Sequence, residues 1–232
     1  MRRSNQRGHF NHGWLDTYHT FSFGDYHDPN YHRFHSLRVL NDDIVTPQNG
    51  FGMHPHRDME IISYVVSGEL EHRDSLGNTG VLRAGDFQVM TAGSGILHAE
   101  RNSSAQEDLR IIQTWILPDT RGLTPHYQDR NQNGGTTEPG TSVIASNRDE
   151  PGALPIHQDA RVLHVRLGAG DSEVFAIGAQ RALWVQVVDG TIQVGNELLE
   201  RGDGVGIENE TSVEISANTP ADLLVFDLAT RS

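Results

Sequence analysis

One pattern occurs twice in this chain of 232 residues. Val65-Val66-Ser67-Gly68 leads to Leu82-Arg83-Ala84-Gly85-Asp86, and it is echoed by Val187-Val188-Asp189-Gly190 and Leu199-Glu200-Arg201-Gly202-Asp203. Each copy reads as strand, turn, strand, Gly-Asp turn and strand, so the chain is expected to fold as two similar β-barrels. Short runs of Val, Ile, Leu and aromatic residues alternate with Gly, Asn and Asp, and helical apolar periodicity is hard to find. The fold class is therefore all-β, with strands expected over 37–45, 61–66, 109–117, 162–167, 183–188, 211–215 and 222–228. Asp189-Gly190 is expected to close a two-residue hairpin, because a type I′ turn needs positive φ at both central residues. Ser67-Gly68 plays the same part in the first copy.

Gly52-Met53-His54-Pro55-His56 and Gly95-Ile96-Leu97-His98-Ala99-Glu100 each carry two potential metal ligands two residues apart. A β-strand turns side chains at that interval to one face, so two such strands can address a single ion. His54, His56, His98 and Glu100 would offer three imidazoles and a carboxylate. Such a set suits a divalent first-row transition metal and leaves coordination positions for substrate. Counted from the turns of the repeat, the second copy has Ala176, Gly178, Ile215 and Ala217 at these positions, none of them a ligand. The first barrel is expected to carry chemistry, and the second to shield it or complete a binding surface. The expected division is 1–120 for the metal-binding half, 121–152 for a linker and 153–232 for the second half. The linker is rich in Gly, Asn, Thr, Asp and Pro, with one short strand expected at 142–145.

With 18 basic and 31 acidic residues the formal charge is −13, which opposes direct binding to nucleic acid or to an anionic membrane. No apolar stretch approaches the roughly 20 residues of a membrane helix. The chain has no cysteine, which excludes disulfides, thiolate ligands and a cysteine nucleophile. The polar start Met1-Arg2-Arg3-Ser4-Asn5 shows no apolar signal segment, so a soluble cytoplasmic protein with a small-molecule or protein partner is expected.

HPHRDMEIISYVVSG has two histidines, a glutamate four residues after the second and a closing glycine, and it resembles the first cupin motif. GDFQVMTAGSGILHAERN resembles the second, although Thr91 replaces its proline and two extra residues separate Gly93 from His98. HGWLDTYHTFSFGDYHDPNYHRFHSLRVLNDD, GFGMHPHRDMEIISYV, TAGSGILHAERN and QTWILP are similar to the signature of the pirin family, over the first 130 residues or so. The resemblance implies a bicupin of two jelly-roll barrels, monomeric, with metal in the N-terminal barrel only. It implies His54, His56, His98 and Glu100 as ligands to Fe(II), with Mn, Co, Ni and Cu compatible with the same donors. Bacterial pirins are similar to quercetin 2,3-dioxygenases, which open the central ring of a flavonol with O2 and release carbon monoxide. Other pirins act as redox-dependent transcription cofactors, so membership alone leaves the function open.

Two classes of function follow: a dioxygenase acting on a flavonol or related enol, and an iron-bearing redox sensor that modulates a regulatory protein partner. In the first, Glu100 is the expected catalytic base for the substrate hydroxyl, and an apolar cavity is expected over the metal, bounded by Phe51, Met53, Met90, Leu97 and Trp115. Gln113, alternating with Ile111 and Trp115, is either a group that orients ligand or substrate or a satisfied core amide. Glu60 stands where the general cupin pattern has its glutamate ligand, so a set of His54, His56, Glu60 and His98 is the alternative, Glu60 otherwise supporting the ligands. His9, His12, His19, His27, His32 and His35 are expected in loop packing and on an exposed face. His72, His126, His157 and His164 have no ligand partner at strand spacing.

Overall fold

The computed structural model describes residues 1–130 and 139–230. Among these, regular structure is strand throughout apart from one 3-10 turn, Ser4–Gln6. The expected strand over 37–45 is present as Leu37–Val45, and those centred on the other apolar runs are present with ends displaced by one or two residues, as in Glu60–Ser67, Ala160–Leu167 and Ala221–Ala229.

Each half is a sandwich of a large and a small sheet, antiparallel except where Leu154–Pro155 pairs in parallel with Gly140–Ser146. Two similar barrels thus stand where the repeat predicts them, and the jelly rolls implied by the resemblance are present. In the first, the large sheet runs Gly8–Asn11, Leu15–His19, Leu37–Val45, Leu109–Ile116, Glu60–Ser67, Phe87–Thr91 and His126–Arg130. The small sheet facing it runs Gly50–His56, Ile96–Asn102, Glu69–Asp74 and Thr79–Arg83. In the second half, a six-stranded sheet built around Ala160–Leu167, Ala221–Ala229 and Arg181–Asp189 faces a four-stranded one. The two large sheets pack back to back. Ile62, Tyr64, Phe87 and Ile112 from the first half join Val162, Trp184, Leu224 and Phe226 from the second in one buried cluster. Their central strands are therefore buried on both faces and read as nearly continuous apolar runs. Along Glu60–Ser67, Ile61 and Val65 face the first barrel while Ile62 and Tyr64 face the second half. Polar bonds cross the same seam: Tyr64 donates to Asp222 at 2.7 Å, and Arg110, paired with Asp42, donates to the Val188 carbonyl at 2.9 Å.

The repeat extends to individual hydrogen bonds. Gly85 and Gly202 donate to Val65 and Val187 at 2.8 and 2.9 Å, and Val65 and Val187 donate to Asp86 and Asp203 at 3.0 Å each. The Val-Val-x-Gly turns are not the expected hairpins, however. Arg181–Asp189 pairs with Gly204–Ile207 and Ala221–Ala229, whereas Thr191–Val194 pairs with Glu197–Glu200 and Ser212–Ala217. The turn carries the chain from one sheet of the sandwich to the other, and Ser67-Gly68 does the same in the first half. Only the glycine of each turn has positive φ, +82° at Gly68 and +85° at Gly190. Pattern reading missed this because a hairpin and a sheet-switching corner use the same turn residues, and pairing alone separates them.

Two strands within the segment expected to be a linker belong to the sheets of the two halves. His126–Arg130 adds an edge strand beside Phe87–Thr91, and Gly140–Ser146 pairs with Ala160–Leu167. Residues 131–138 of that segment lie outside the described residues. Gly140–Ser146 is the short strand expected at 142–145, its Ile144 and Ala145 fully buried against the shared cluster, whereas His126–Arg130, without an aliphatic residue, is not legible as a strand in the sequence.

A Cβ at Gly190 would lie 2.2 Å from the Pro220 carbonyl oxygen, and one at Gly68 would lie 2.6 Å from that of Asp108. Gly68→Ala and Gly190→Ala are each expected to cost about 2 kcal/mol or more, read from denaturant unfolding. Gly77→Ala, also at positive φ but with open space around the new Cβ, should lose only about 1 kcal/mol.

Candidate metal centre

Strand pairing in the small sheet brings the ligand candidates together. Gly50–His56 lies antiparallel to Ile96–Asn102 with His54 opposite His98, and a register shift between Phe51 and His54 sets that alignment. The ring centroids of His54, His56 and His98 are 4.5 to 4.8 Å apart, and one nitrogen from each ring falls within 4.8 Å of the others. Glu100, one pleat beyond His98, forms an equally tight group with His98 and His72. His72 therefore does have ligand-type neighbours, contrary to expectation. It reaches them from the next strand, where it lies opposite Glu100, a relation that spacing within one strand cannot reveal. Its ring stacks on Tyr127 at 4.2 Å and its Nε2 pairs with Asp74 at 3.2 Å.

The chemistry of this set fits a metal. His98 is buried with both ring nitrogens lacking a hydrogen-bond partner, an arrangement that costs free energy and that a metal taking the lone pair of its unprotonated nitrogen would relieve. His54 Nδ1 donates to the Gly52 carbonyl at 2.7 Å, which leaves Nε2 as the free donor atom. Burial, followed by the neighbouring imidazoles, lowers His56 to about 4 and His98 to about 3. Both rings are therefore neutral near pH 7, the form that binds metal.

Glu100 is held by three donors from the facing sheet. Its Oε1 accepts from Gln88 at 2.6 Å and Ser63 at 3.1 Å, and its Oε2 accepts from Gln113 at 2.7 Å. Trp115 Nε1 donates in turn to Gln113 Oε1 at 3.3 Å. Gln113 thus orients the carboxylate instead of filling a core. Glu60 sits on the other face of its strand, toward the second half. One of its oxygens accepts from Thr91 at 2.7 Å and the other meets His157 Nδ1 at 3.3 Å, so the alternative set containing Glu60 is not brought together.

A cavity of about 330 Å³ opens onto this group. Phe51, Gln113 and Trp115 line it, with His54, His56 and Glu100. The other three expected wall residues lie elsewhere. Met53 and Leu97 alternate with the ligands along their strands and so point to solvent, 49% and 45% exposed, while Met90 packs in a separate cluster with Ile61, Ala92 and Ile96. The walls come instead from the N-terminal segment and the strand paired to it: Phe10, Thr17, His19, Phe23, Asn41 and Asp43. His19, expected in loop packing, is a strand residue facing the cavity. The alternation of Leu15, Thr17 and His19 carried that signal, but two of the three are polar and did not read as a buried face.

In the second half, register corrects the count. Val194 lies opposite Ile215 as His72 lies opposite Glu100, and Phe175 lies opposite Val213 as His54 lies opposite His98. With Ile177 paired at Thr211, the counterparts of His54, His56, His98 and Glu100 are Phe175, Ile177, Val213 and Ile215. The two extra residues before His98 displaced the count for His98 and Glu100 by two, and the count back to His54 and His56 was off by one.

Gln113→Leu removes a donor from Glu100 and is expected to weaken metal binding by roughly 10- to 100-fold in competition with a chromophoric chelator, whereas Glu60→Gln should leave it unchanged. Asp43 is fully buried beside Thr17, and burial raises it from 3.8 to about 7. The folded chain thus keeps a proton that the unfolded chain loses near 3.8, so this group's contribution to stability falls as pH rises from there through about 7. Asp43→Asn should therefore gain Tm relative to the native protein across that interval.

Residues 1–116 match the family model Pirin, and residues 143–228 match the model for the quercetinase C-terminal cupin domain. The chain is 42% identical over 228 residues to quercetin 2,3-dioxygenase of Escherichia coli strain K12, covering 98% of this chain and 97% of that protein. It is 43% identical over 223 residues to a pirin-like protein of Caulobacter vibrioides, covering 96% of each. The crystal structure of the bacterial pirin YhhW of Escherichia coli in complex with nickel(II) superposes with a TM-score of 0.95 at 42% identity, over 99% of this chain and 98% of that one. With its two cupin barrels and its group of histidines and glutamate able to hold a metal, the chain belongs to the pirin family.

Proposed function

We propose that this chain is a metal-dependent flavonol dioxygenase of the quercetin 2,3-dioxygenase type, opening the central ring with O2 and releasing carbon monoxide. The observation that carries the reading is the aromatic-walled cavity opening directly onto His54, His56 and Glu100. Its volume lies at the small end of the range for small-molecule sites, and Phe10, Phe23, Phe51 and Trp115 supply faces and edges for a flat polycyclic substrate. A metal-bearing sensor requires only a shielded ion and has no use for such a cavity.

His54, His56, His98 and Glu100 would hold the ion, for which this reading favours Fe(II). When bound, the metal supplies Lewis-acid stabilisation of the substrate's 3-oxyanion and a redox-active centre for O2. Glu100 takes the 3-hydroxyl proton on a carboxylate oxygen. Gln113, Gln88 and Ser63 hold that carboxylate in place and stabilise its negative charge by hydrogen bonds until it takes the proton. Phe51 and Trp115 exclude water from the reacting ring.

Carbon monoxide release from quercetin in air tests the reading, using metal-quantified protein loaded in turn with iron, manganese, cobalt, nickel and copper beside His98→Ala with matched free metal. Stoichiometric release by the native protein alone is expected, and its absence under every loading would overturn the proposal in favour of a sensor. Glu100→Gln should still load with metal through the three histidines at saturating metal concentration, while losing at least about 100-fold in kcat.

A further inference from the structure

The cavity is polar at two ends, and the ligand group accounts for only one. Inward-facing Gln88, Ser63, Gln113, Asn41 and His19 stand in one cross-strand row over five neighbouring strands of the large sheet. The first three converge on Glu100. Asn41 and His19 do not: Asn41 Oδ1 and His19 Nδ1 are buried in residues 3% and 7% exposed, and neither atom has a hydrogen-bond partner. The next pair along the same strands, Thr17 and Asp43, satisfy each other. A buried polar atom left unpaired costs about 1–3 kcal/mol; Asn41 and His19 both line the cavity, and a small rotation of either side chain would bring its unpaired atom to a bound hydroxyl.

Position and charge narrow the ligand. Neighbouring strands are about 4.8 Å apart, so Asn41 lies one strand and His19 two strands, about 10 Å, from Gln113. That span matches a fused-ring molecule whose other end reaches the ligand group. Between the ends, Phe23 meets Trp115 edge-on at 5.3 Å and His19 at 5.1 Å. Among the described residues lining the cavity none is Lys or Arg, so a carboxylate or phosphate finds no ammonium or guanidinium to pair with on its wall. An amide and a neutral imidazole each both donate and accept, and their complement is a neutral hydroxyl.

We propose that Asn41 and His19 form a second polar subsite that binds a phenolic hydroxyl remote from the metal-chelating oxygens, so that the cavity selects polyhydroxylated flavonols. This inference rests on the flavonol reading of the same cavity. It makes Asn41 and His19 specificity-determining residues with no part in holding the metal.

The test is isothermal titration of nickel-loaded, oxygen-free protein with quercetin and with 3-hydroxyflavone, which keeps the chelating hydroxyl and carbonyl but no other hydroxyl. Native protein is expected to bind quercetin about tenfold more tightly, the worth of one well-formed hydrogen bond. Asn41→Leu should erase that preference by weakening quercetin alone, with metal content and Tm held. His19→Leu, on a different strand, should do the same and keeps the subsite testable if the Asn41 variant folds poorly. Equal binding of the two flavonols to native protein, or equal weakening of both in a correctly folded variant, overturns the subsite and leaves the dioxygenase reading standing. If neither flavonol binds native protein, the flavonol reading itself falls and the subsite with it.

Discussion

The pairing of Gly50–His56 with Ile96–Asn102 governs the whole site, because side chains on a strand alternate between faces. In the observed register His54 lies opposite His98, and both face the barrel interior with Glu100. A slip of one residue would turn Met53 and Leu97 inward and send the ligands to solvent. The irregularity between Phe51 and His54 lets Phe51 meet Glu100 and His54 meet His98 along one pair of strands. Everything built on the facing sheet, from the donors around Glu100 to the aromatic walls, assumes this alignment.

The two halves show what one frame does with opposite fillings. In the second, Phe175, Ile177, Val213 and Ile215 occupy the ligand positions and join an apolar core. In the first, the same positions bury imidazoles and a carboxylate, and His98 keeps two nitrogens without partners. Buried polar atoms without partners are costly and rare, and of the seven described residues that carry them four, His19, Asn41, His72 and His98, stand around the cavity and its ligand candidates, the others being Arg2, Thr20 and Ser36. The second half compensates by supplying a shared apolar cluster that stiffens the back of the large sheet, against which Ser63, Gln88 and Gln113 are held. Stability and chemistry are thus divided between copies of one motif.

The sequence carried the fold class, the doubling of the barrel and the proximity of the metal-ligand candidates, because each depends on period-2 alternation or on a repeated turn, both local properties. His54, His56, His98 and Glu100 could be picked out because strand geometry places residues two apart on one face. Asp189-Gly190 misled because a two-residue turn fixes the chain's direction without choosing the sheet it enters next. The linker misled because, beside the expected strand over 142–145, His126–Arg130 pairs as an edge strand although it holds no aliphatic residue.

Only tertiary structure decided which residues meet across strands and across sheets. That Glu100 is held by Gln88, Ser63 and Gln113, that Glu60 faces away toward His157, that His72 joins the ligand group and that His19 and Asn41 line the cavity are all relations between strands distant in sequence. The physical reason is that side-chain direction along a strand is set locally by the pleat, whereas the neighbour a side chain finds is set by register and by which sheet lies opposite. The sequence alone determined what chemistry the first barrel could host, and packing determined the shape and polarity of the space in which that chemistry would occur.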